Sequence, residues 1–311
     1  MNAESSIVQM PIFIAGPTAV GKSAVALAIA EQLGGEIISV DSMQVYGGLN
    51  IGTAKPSREE QKSITHHLID IAELDEGFDA AKFCVLAQKA VSEIQSRKHV
   101  PIFCGGTGFY FKAFLEGLGE APPANSALRT ELEKIPASEL LRELEMRDPV
   151  SFEKIDQKNL RRVIRAVEVI RLTGKPFSAQ RNDRSGTAPS SSARSFGLSR
   201  TNADLHDRIN RRVDEMFKHG LVAETETLLK CGLEKNQTAM QAIGYRQVVE
   251  HFAGKRSLPE TIELVKIRTR QFAKRQMTWF RRQIQMQWIQ VGDGNEYTAT
   301  KTILSSISRP N

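Results

Sequence analysis

The 311-residue sequence predicts an α/β protein built on a parallel sheet flanked by helices, with a helical insertion and basic C-terminal helices. Three observations predict it. Strand-like apolar runs alternate with helical periods up to about residue 115, the order that gives parallel strands joined by crossover helices. The first run passes directly into Gly16-Pro17-Thr18-Ala19-Val20-Gly21-Lys22-Ser23, the pattern GxxxxGK[ST] of a P-loop. From Gly117 onward the alternation gives way to charged helical stretches.

The elements follow in order. Pro11 to Ala15 reads as a strand near residues 10–15, and Ala24, Val25, Leu27, Ala28, Ile29 and Leu33 make 22–33 an apolar helix. Strands are expected at 36–41, 66–71 and 100–104, with helices over 79–97 and from about 108. This is a P-loop NTPase-like sheet. Beyond Pro122-Pro123, the stretches 128–133, 138–146 and 159–172 read as helices of an inserted unit. Gly186 to Ala193, GTAPSSSA, reads as a flexible connection. Phe196 to Leu198 then returns the chain to the sheet, and 203–230, 239–253 and 258–285 are helical. The expected division is 1–117 plus 191–311 for the core and its helices, and 118–190 for the insertion.

The glycines at 16 and 21 let successive N–H groups face one concavity, a nest for phosphate. The helix that follows adds the positive end of its dipole, Lys22 neutralises phosphate oxygens, and the Ser23 hydroxyl is suited to ligate Mg²⁺. Gly16, Pro17, Thr18, Ala19, Val20, Gly21, Lys22 and Ser23 are therefore candidate positions for a diphosphate or polyphosphate. Asp41 ends the second strand and is delivered to the same sheet edge. A carboxylate there could hold Mg²⁺, accept a proton from a nucleophile or cap a turn. Gly105-Gly106-Thr107-Gly108 ends the fourth strand at that edge, its glycines permitting close approach of a ligand and Thr107 entering the site. P-loop hydrolases carry a second acidic strand and a water-positioning residue. Only Asp70 of HHLID can be nominated here, which leaves a transferase.

Composition narrows the partner. Three dispersed cysteines, Cys84, Cys104 and Cys231, form no CxxC pair, which suggests a reducing compartment with neither disulfides nor a metal site of that type. No run approaches a membrane span and no secretory pattern follows Met1, so the expected location is the cytoplasm. Net charge is +6, and its distribution says more than its size. Leu264 to Gln290 contains Lys266, Arg268, Arg270, Lys274, Arg275, Arg281 and Arg282 and no acidic residue, interleaved with Phe272, Trp279, Phe280 and Trp288. Basic residues among aromatics compose a nucleic-acid surface. Arg161, Arg162 and Arg165 share one helix, as do Arg208, Arg211 and Arg212, with guanidinium groups suited to phosphate. Trp279 divides evenly between core and contact roles.

With these residues assembled, the sequence resembles the tRNA dimethylallyltransferases, also called tRNA isopentenyltransferases. The resemblance covers most of the chain and rests on GPTAVGKS (16–23), DSMQVY (41–46), NIGTAKP (50–56), HHLID (66–70), GGTGFY (105–110), RRVIRAVEV (161–169), AIGYRQ (242–247) and KRQMTWFRR (274–282). Asp156-Gln157 and Phe109 depart from the usual residues, away from the chemistry. A monomer is expected, and the resemblance implies that it binds dimethylallyl diphosphate in the P-loop. It implies prenyl transfer to N6 of the adenine 3′ of the anticodon, in tRNAs reading codons that begin with U, with Mg²⁺ on Ser23. It assigns catalysis to Asp41 as general base, with Thr107, Lys22 and Arg212. It assigns tRNA contacts to Asp41, Ser42, Met43, Gln44, Thr107, Arg129, Arg161, Arg162, Val163, Ile164 and Arg165, the insertion gripping the anticodon stem. Further contacts fall on Gln241, Ala242, Ile243, Gly244, Tyr245, Arg246, Lys274, Arg275, Gln276, Trp279 and Arg281. The rival readings are an ATP-dependent kinase of a nucleoside or small metabolite, which shares P-loop and sheet, and a non-catalytic RNA-binding protein.

Overall fold

A computed structural model describes residues 10–119, 121–181, 194–292 and 296–307. The connection read at Gly186 to Ala193, and the boundary at 190/191, lie outside the described residues. In chain order the elements are β1 (Ile12–Ala15), α1 (Lys22–Leu33), β2 (Gly35–Val40), α2 (Arg58–Ser63), β3 (His66–His67), α3 (Ala80–Ser96), β4 (Val100–Gly105), α4 (Gly108–Glu116), α5 (Ser126–Leu132), α6 (Ala137–Arg147), α7 (Pro149–Lys154), α8 (Leu160–Thr173), β5 (Ser195–Ser199), α9 (Asn202–Lys218), α10 (Leu221–Lys230), α11 (Tyr245–Phe252), α12 (Leu258–Gln283), β6 (Gln287–Gln290) and α13 (Glu296–Ile307).

The strands form one sheet in the order β3-β2-β4-β1-β5-β6, every neighbouring pair parallel. Alternate residues of β1 explain why both faces are covered. Ile12 and Ile14 enter a core with Val25, Ile29, Ile102 and Leu198, whereas Phe13 stacks on Phe103 with centroids 4.8 Å apart. Burying each such side chain stabilises the fold by about 1.5–3 kcal/mol. Asp79 caps α3 by accepting from the N–H groups of Ala81 and Lys82, and Ser57 and Ser257 form capping boxes with Glu60 and Glu260 that start α2 and α12.

The chain divides into two compact units, Met1–Lys112 with Pro189–Asn311, and Ala113–Ala188. The second has its own core of Leu132, Leu140, Leu144, Val163, Val167 and Ile170. No helix among the described residues is long and apolar enough to cross a membrane.

Several expected elements differ. The run 66–71 pairs only at His66–His67, because Leu68 and Asp70 adopt φ of 63° and 51°, which ends an extended strand. The single helix expected over 203–230 is two, broken by Gly220 at φ 100°. The one expected over 239–253 opens as a 3₁₀ turn, with Gly244 at φ 103° preceding α11. The edge strand β6 and the helix α13 stand outside the expected set, and in polar QWIQ only Ile289 is buried.

Candidate active site

β2, β4 and β1 are adjacent, so the residues after their carboxyl ends share one edge: Asp41, Thr107 and the P-loop. That is where open α/β sheets place their ligands. In the loop, Gly16 and Gly21 have φ of 151° and 106°, and Ala19 takes φ of 63°. The fixed curl has three supports. The Thr18 N–H donates to Gln276 Oε1 at 2.9 Å, Arg208 Nε donates to the Ala19 carbonyl at 2.9 Å, and Arg200 Nε donates to the Val20 carbonyl at 2.9 Å. Ser23 is exposed on the first turn of α1.

Lys22 and Arg212 supply the positive charge. Lys22 Nζ lies 2.7 Å from the Pro17 carbonyl oxygen. Burial lowers its pKa to about 8, with Cys104 and Asp41 opposing the shift and Arg212 adding to it. Burial likewise lowers the pKa of Arg212, against Asp41 and with Arg208. Arg212 Nε is buried without a hydrogen-bond partner. A buried guanidinium donor of this kind is suited to an anionic ligand. Arg208 and Arg212 are one helical turn apart on α9; Arg208 braces the P-loop through the Ala19 carbonyl, while Arg212 lies buried within electrostatic reach of Asp41 and Lys22. Cys104 completes the buried floor, its thiol pushed up to about 11 by burial.

Asp41 performs one of the roles its position allows. Its Oδ1 accepts from the N–H groups of Met43 at 2.8 Å and Gln44 at 3.3 Å, which is the turn-capping role. It also stands within electrostatic reach of Lys22 and Arg212. Thr107 Oγ1 accepts from the Ser42 N–H at 3.0 Å, and Gln44 ties the turn to the Thr53 and Ala54 carbonyls through Nε2. The glycines of GGTG are each required by a close protein neighbour. A Cβ at Gly105 would meet the Val40 carbonyl oxygen at 2.1 Å, at Gly106 the Gln276 amide at 2.3 Å, and at Gly108 the Trp279 ring at 2.2 Å.

The expected nucleic-acid residues divide by location. On α12, Lys274, Arg275 and Trp279 line a cleft of about 520 Å³ with Arg282, while Arg281 lies over the Trp288 ring at 5.6 Å. Trp279 is half-buried against Gly108 and edge-on to Phe280, so it packs and lines the cleft at once. Gln276 is buried, its amide joining Thr18 N–H to the Gly106 carbonyl; it is a strut between the P-loop and β4. Gln241 and Arg246 are exposed, with Ile243 half-buried. Ala242 and Tyr245 are buried, and the Tyr245 hydroxyl donates to Glu224 and accepts from the Gly52 N–H, so its ring is not available to stack a base.

In the second unit, Arg161 and Arg162 are exposed on α8, whereas Val163 and Ile164 are core residues whose side chains face inward. Arg129 and Arg165 both engage buried Glu168. Burial pushes that carboxyl up, but hydrogen bonds from the two arginines and the Asn125 N–H outweigh it and hold its pKa low.

No cluster of three or more His, Cys, Asp or Glu side chains among the described residues is arranged to hold a metal. Mg²⁺ needs no such cluster, since it keeps several waters and binds through one or two protein oxygens plus substrate phosphates. The Ser23 hydroxyl and the Asp41 carboxylate fit that donor set. Arg200 and Glu296, which also reach the P-loop, carry no sequence motif; only their contacts reveal them.

Comparison with known proteins gives the family. A family model described as IPP transferase matches residues 44–283. The tRNA dimethylallyltransferase of Geobacillus kaustophilus is 44% identical over 92% of each chain. That of Desulforudis audaxviator is 41% identical over 96% of this chain and 97% of its own. Among solved structures, the tRNA isopentenylpyrophosphate transferase of Bacillus halodurans superposes with a TM-score of 0.68 at 37% identity, covering 96% of this chain and 97% of that one. A eukaryotic dimethylallyltransferase described as acting on tRNA superposes with a TM-score of 0.81 at 26% identity, over 96% of this chain and 77% of that one. With the P-loop, the strand-end carboxylate and the matched family region in one chain, the protein belongs to the IPP transferase family.

Proposed function

We propose that the protein transfers the dimethylallyl group of dimethylallyl diphosphate to N6 of the adenine 3′-adjacent to the anticodon, in tRNAs reading codons that begin with U. The allylic C–O bond breaks, a C–N bond forms, and diphosphate and N6-dimethylallyladenosine leave. The observation that carries this reading is the convergence of Lys22 and Arg212, with its unpartnered Nε, on the edge that holds Asp41.

The P-loop amides, Lys22 and Arg212 bind the diphosphate and stabilise the charge that grows on it as the C–O bond breaks. Asp41 accepts the proton that N6 loses, a contribution of about 10² to 10⁴ in rate. Thr107 positions the Asp41 turn through Ser42. Mg²⁺, with Ser23 as its protein ligand, would supply further neutralisation of the leaving group when bound. The basic cleft of α12 accepts the RNA backbone, the second unit offers Arg161 and Arg162, and the target base leaves its stack at a cost of a few kcal/mol. A small-molecule kinase has no use for that cleft.

Asp41→Asn tests the assignment. Asn keeps an Oδ1 that can accept from Met43 and Gln44, so the turn and tRNA affinity should persist while single-turnover transfer falls at least 100-fold. An unchanged transfer rate would remove Asp41 from the chemistry.

A further inference from the structure

Glu296, at the start of α13, joins two arginines behind the P-loop. Its Oε1 accepts from Arg200 at 2.8 Å and from Arg208 at 3.1 Å. Arg200 is held further by Asp204 at 2.7 Å and by the Gly292 carbonyl at 3.1 Å, and its side chain is fully buried. Two guanidiniums thus meet two carboxylates, and the group adds no net charge to the diphosphate site. Its effect must therefore be directional.

That direction follows from peptide geometry. In a trans peptide the C=O and N–H point opposite ways. Arg208 takes the Ala19 carbonyl and Arg200 the Val20 carbonyl, each at 2.9 Å, so the N–H groups of Val20 and Gly21, which share those peptides, are turned away from the arginines. A cation on each carbonyl also polarises the N–H at the other end of the same peptide. Glu296 lies close against the loop, 2.9 Å from where a Cβ at Gly21 would stand. Ala19, a residue with a Cβ, is meanwhile held at φ 63°, a conformation that persists only where its surroundings impose it.

We propose that Arg200, Arg208 and Glu296 are positioning residues that preset the Val20 and Gly21 amides toward diphosphate, so that a helix remote in sequence sets the affinity for the allylic donor. The inference rests on the reading of the P-loop as a diphosphate site.

The test is isothermal titration of the full chain with inorganic pyrophosphate, amide exchange at Val20 and Gly21, and separate KM values for dimethylallyl diphosphate and tRNA. Glu296→Gln and Arg208→Gln should each weaken pyrophosphate at least tenfold, raise the KM for the allylic donor and quicken exchange at both amides. The KM for tRNA should stay constant. Arg208→Lys, which keeps a donor to the Ala19 carbonyl, should recover most of the affinity. A change confined to melting temperature, with pyrophosphate affinity and amide exchange as in the wild type, would overturn the inference. If Glu296→Gln does not fold, the Arg208 pair decides alone. Failure of the wild-type protein to bind pyrophosphate would instead overturn the reading of the site, and the inference with it.

Discussion

The Ser42 N–H donates to Thr107 Oγ1 across 3.0 Å, and this bond ties the turn after β2 to the end of β4. The Thr107 N–H in turn donates to the Val40 carbonyl at 3.1 Å. Asp41 stands between these two anchors, so its position depends on Thr107. Thr107→Val keeps the volume and removes the acceptor, at a cost of about 1 kcal/mol in stability. Transfer should slow about tenfold, and Thr107→Ser should restore it; rapid-quench assays and thermal melts read both.

Gln276 gives a prediction of opposite kind from that of a tRNA contact. Its amide accepts from Thr18 N–H and donates to the Gly106 carbonyl, both at 2.9 Å. Gln276→Met leaves those two groups unpartnered and should destabilise the fold by about 2 kcal/mol. The KM for dimethylallyl diphosphate should rise while that for tRNA changes little; a rise confined to tRNA would show a direct RNA contact instead.

Lys22 makes donor binding depend on pH. Burial brings its pKa down to about 8, so in the free protein the ammonium is lost as pH rises through 8. Affinity for dimethylallyl diphosphate, measured by titration from pH 7 to 10, should weaken by up to tenfold per unit above 8. Lys22→Gln should bind weakly and without that slope. Between pH 8 and the ordinary lysine value the unfolded chain holds the proton that the folded chain has lost, so this group makes stability rise with pH there.

Glu36 contributes to the acid limit. It is buried in β2, where burial raises its pKa but hydrogen bonds from Arg97, His67 and His99 outweigh that and hold it at about 2. A carboxyl with a depressed folded pKa stabilises above its unfolded value and loses that contribution as pH falls through the folded one. Stability should therefore drop between pH about 4.5 and 2. Glu36→Gln should lose about 2–3 kcal/mol at pH 7 and flatten that part of the profile in denaturant titrations.

The sheet, the P-loop, Asp41 and Thr107 were legible because each is written locally, as a run of apolar residues ending in a motif. What was not legible depends on residues distant in the chain. The glycines of GGTG answer to Val40, Gln276 and Trp279, and none of those partners is visible from the string itself. Gln276 sits in a basic motif that reads as an RNA surface, yet the helix turns it inward. Arg208 and Arg212 read alike, and only the fold sets one on the Ala19 carbonyl and buries the other near Lys22 and Asp41. β6 escaped because a polar edge strand with one buried residue has no apolar alternation.

Prenyl transfer to tRNA is read out by following the label from the donor. The protein is incubated with unmodified tRNA, Mg²⁺ and either labelled dimethylallyl diphosphate or γ-labelled ATP, and the RNA is digested to nucleosides. The allylic label should appear in N6-modified adenosine beside the anticodon, and ATP should transfer nothing. Label passing from ATP to a small acceptor, with none from the allylic donor in RNA, would contradict prenyl transfer to tRNA.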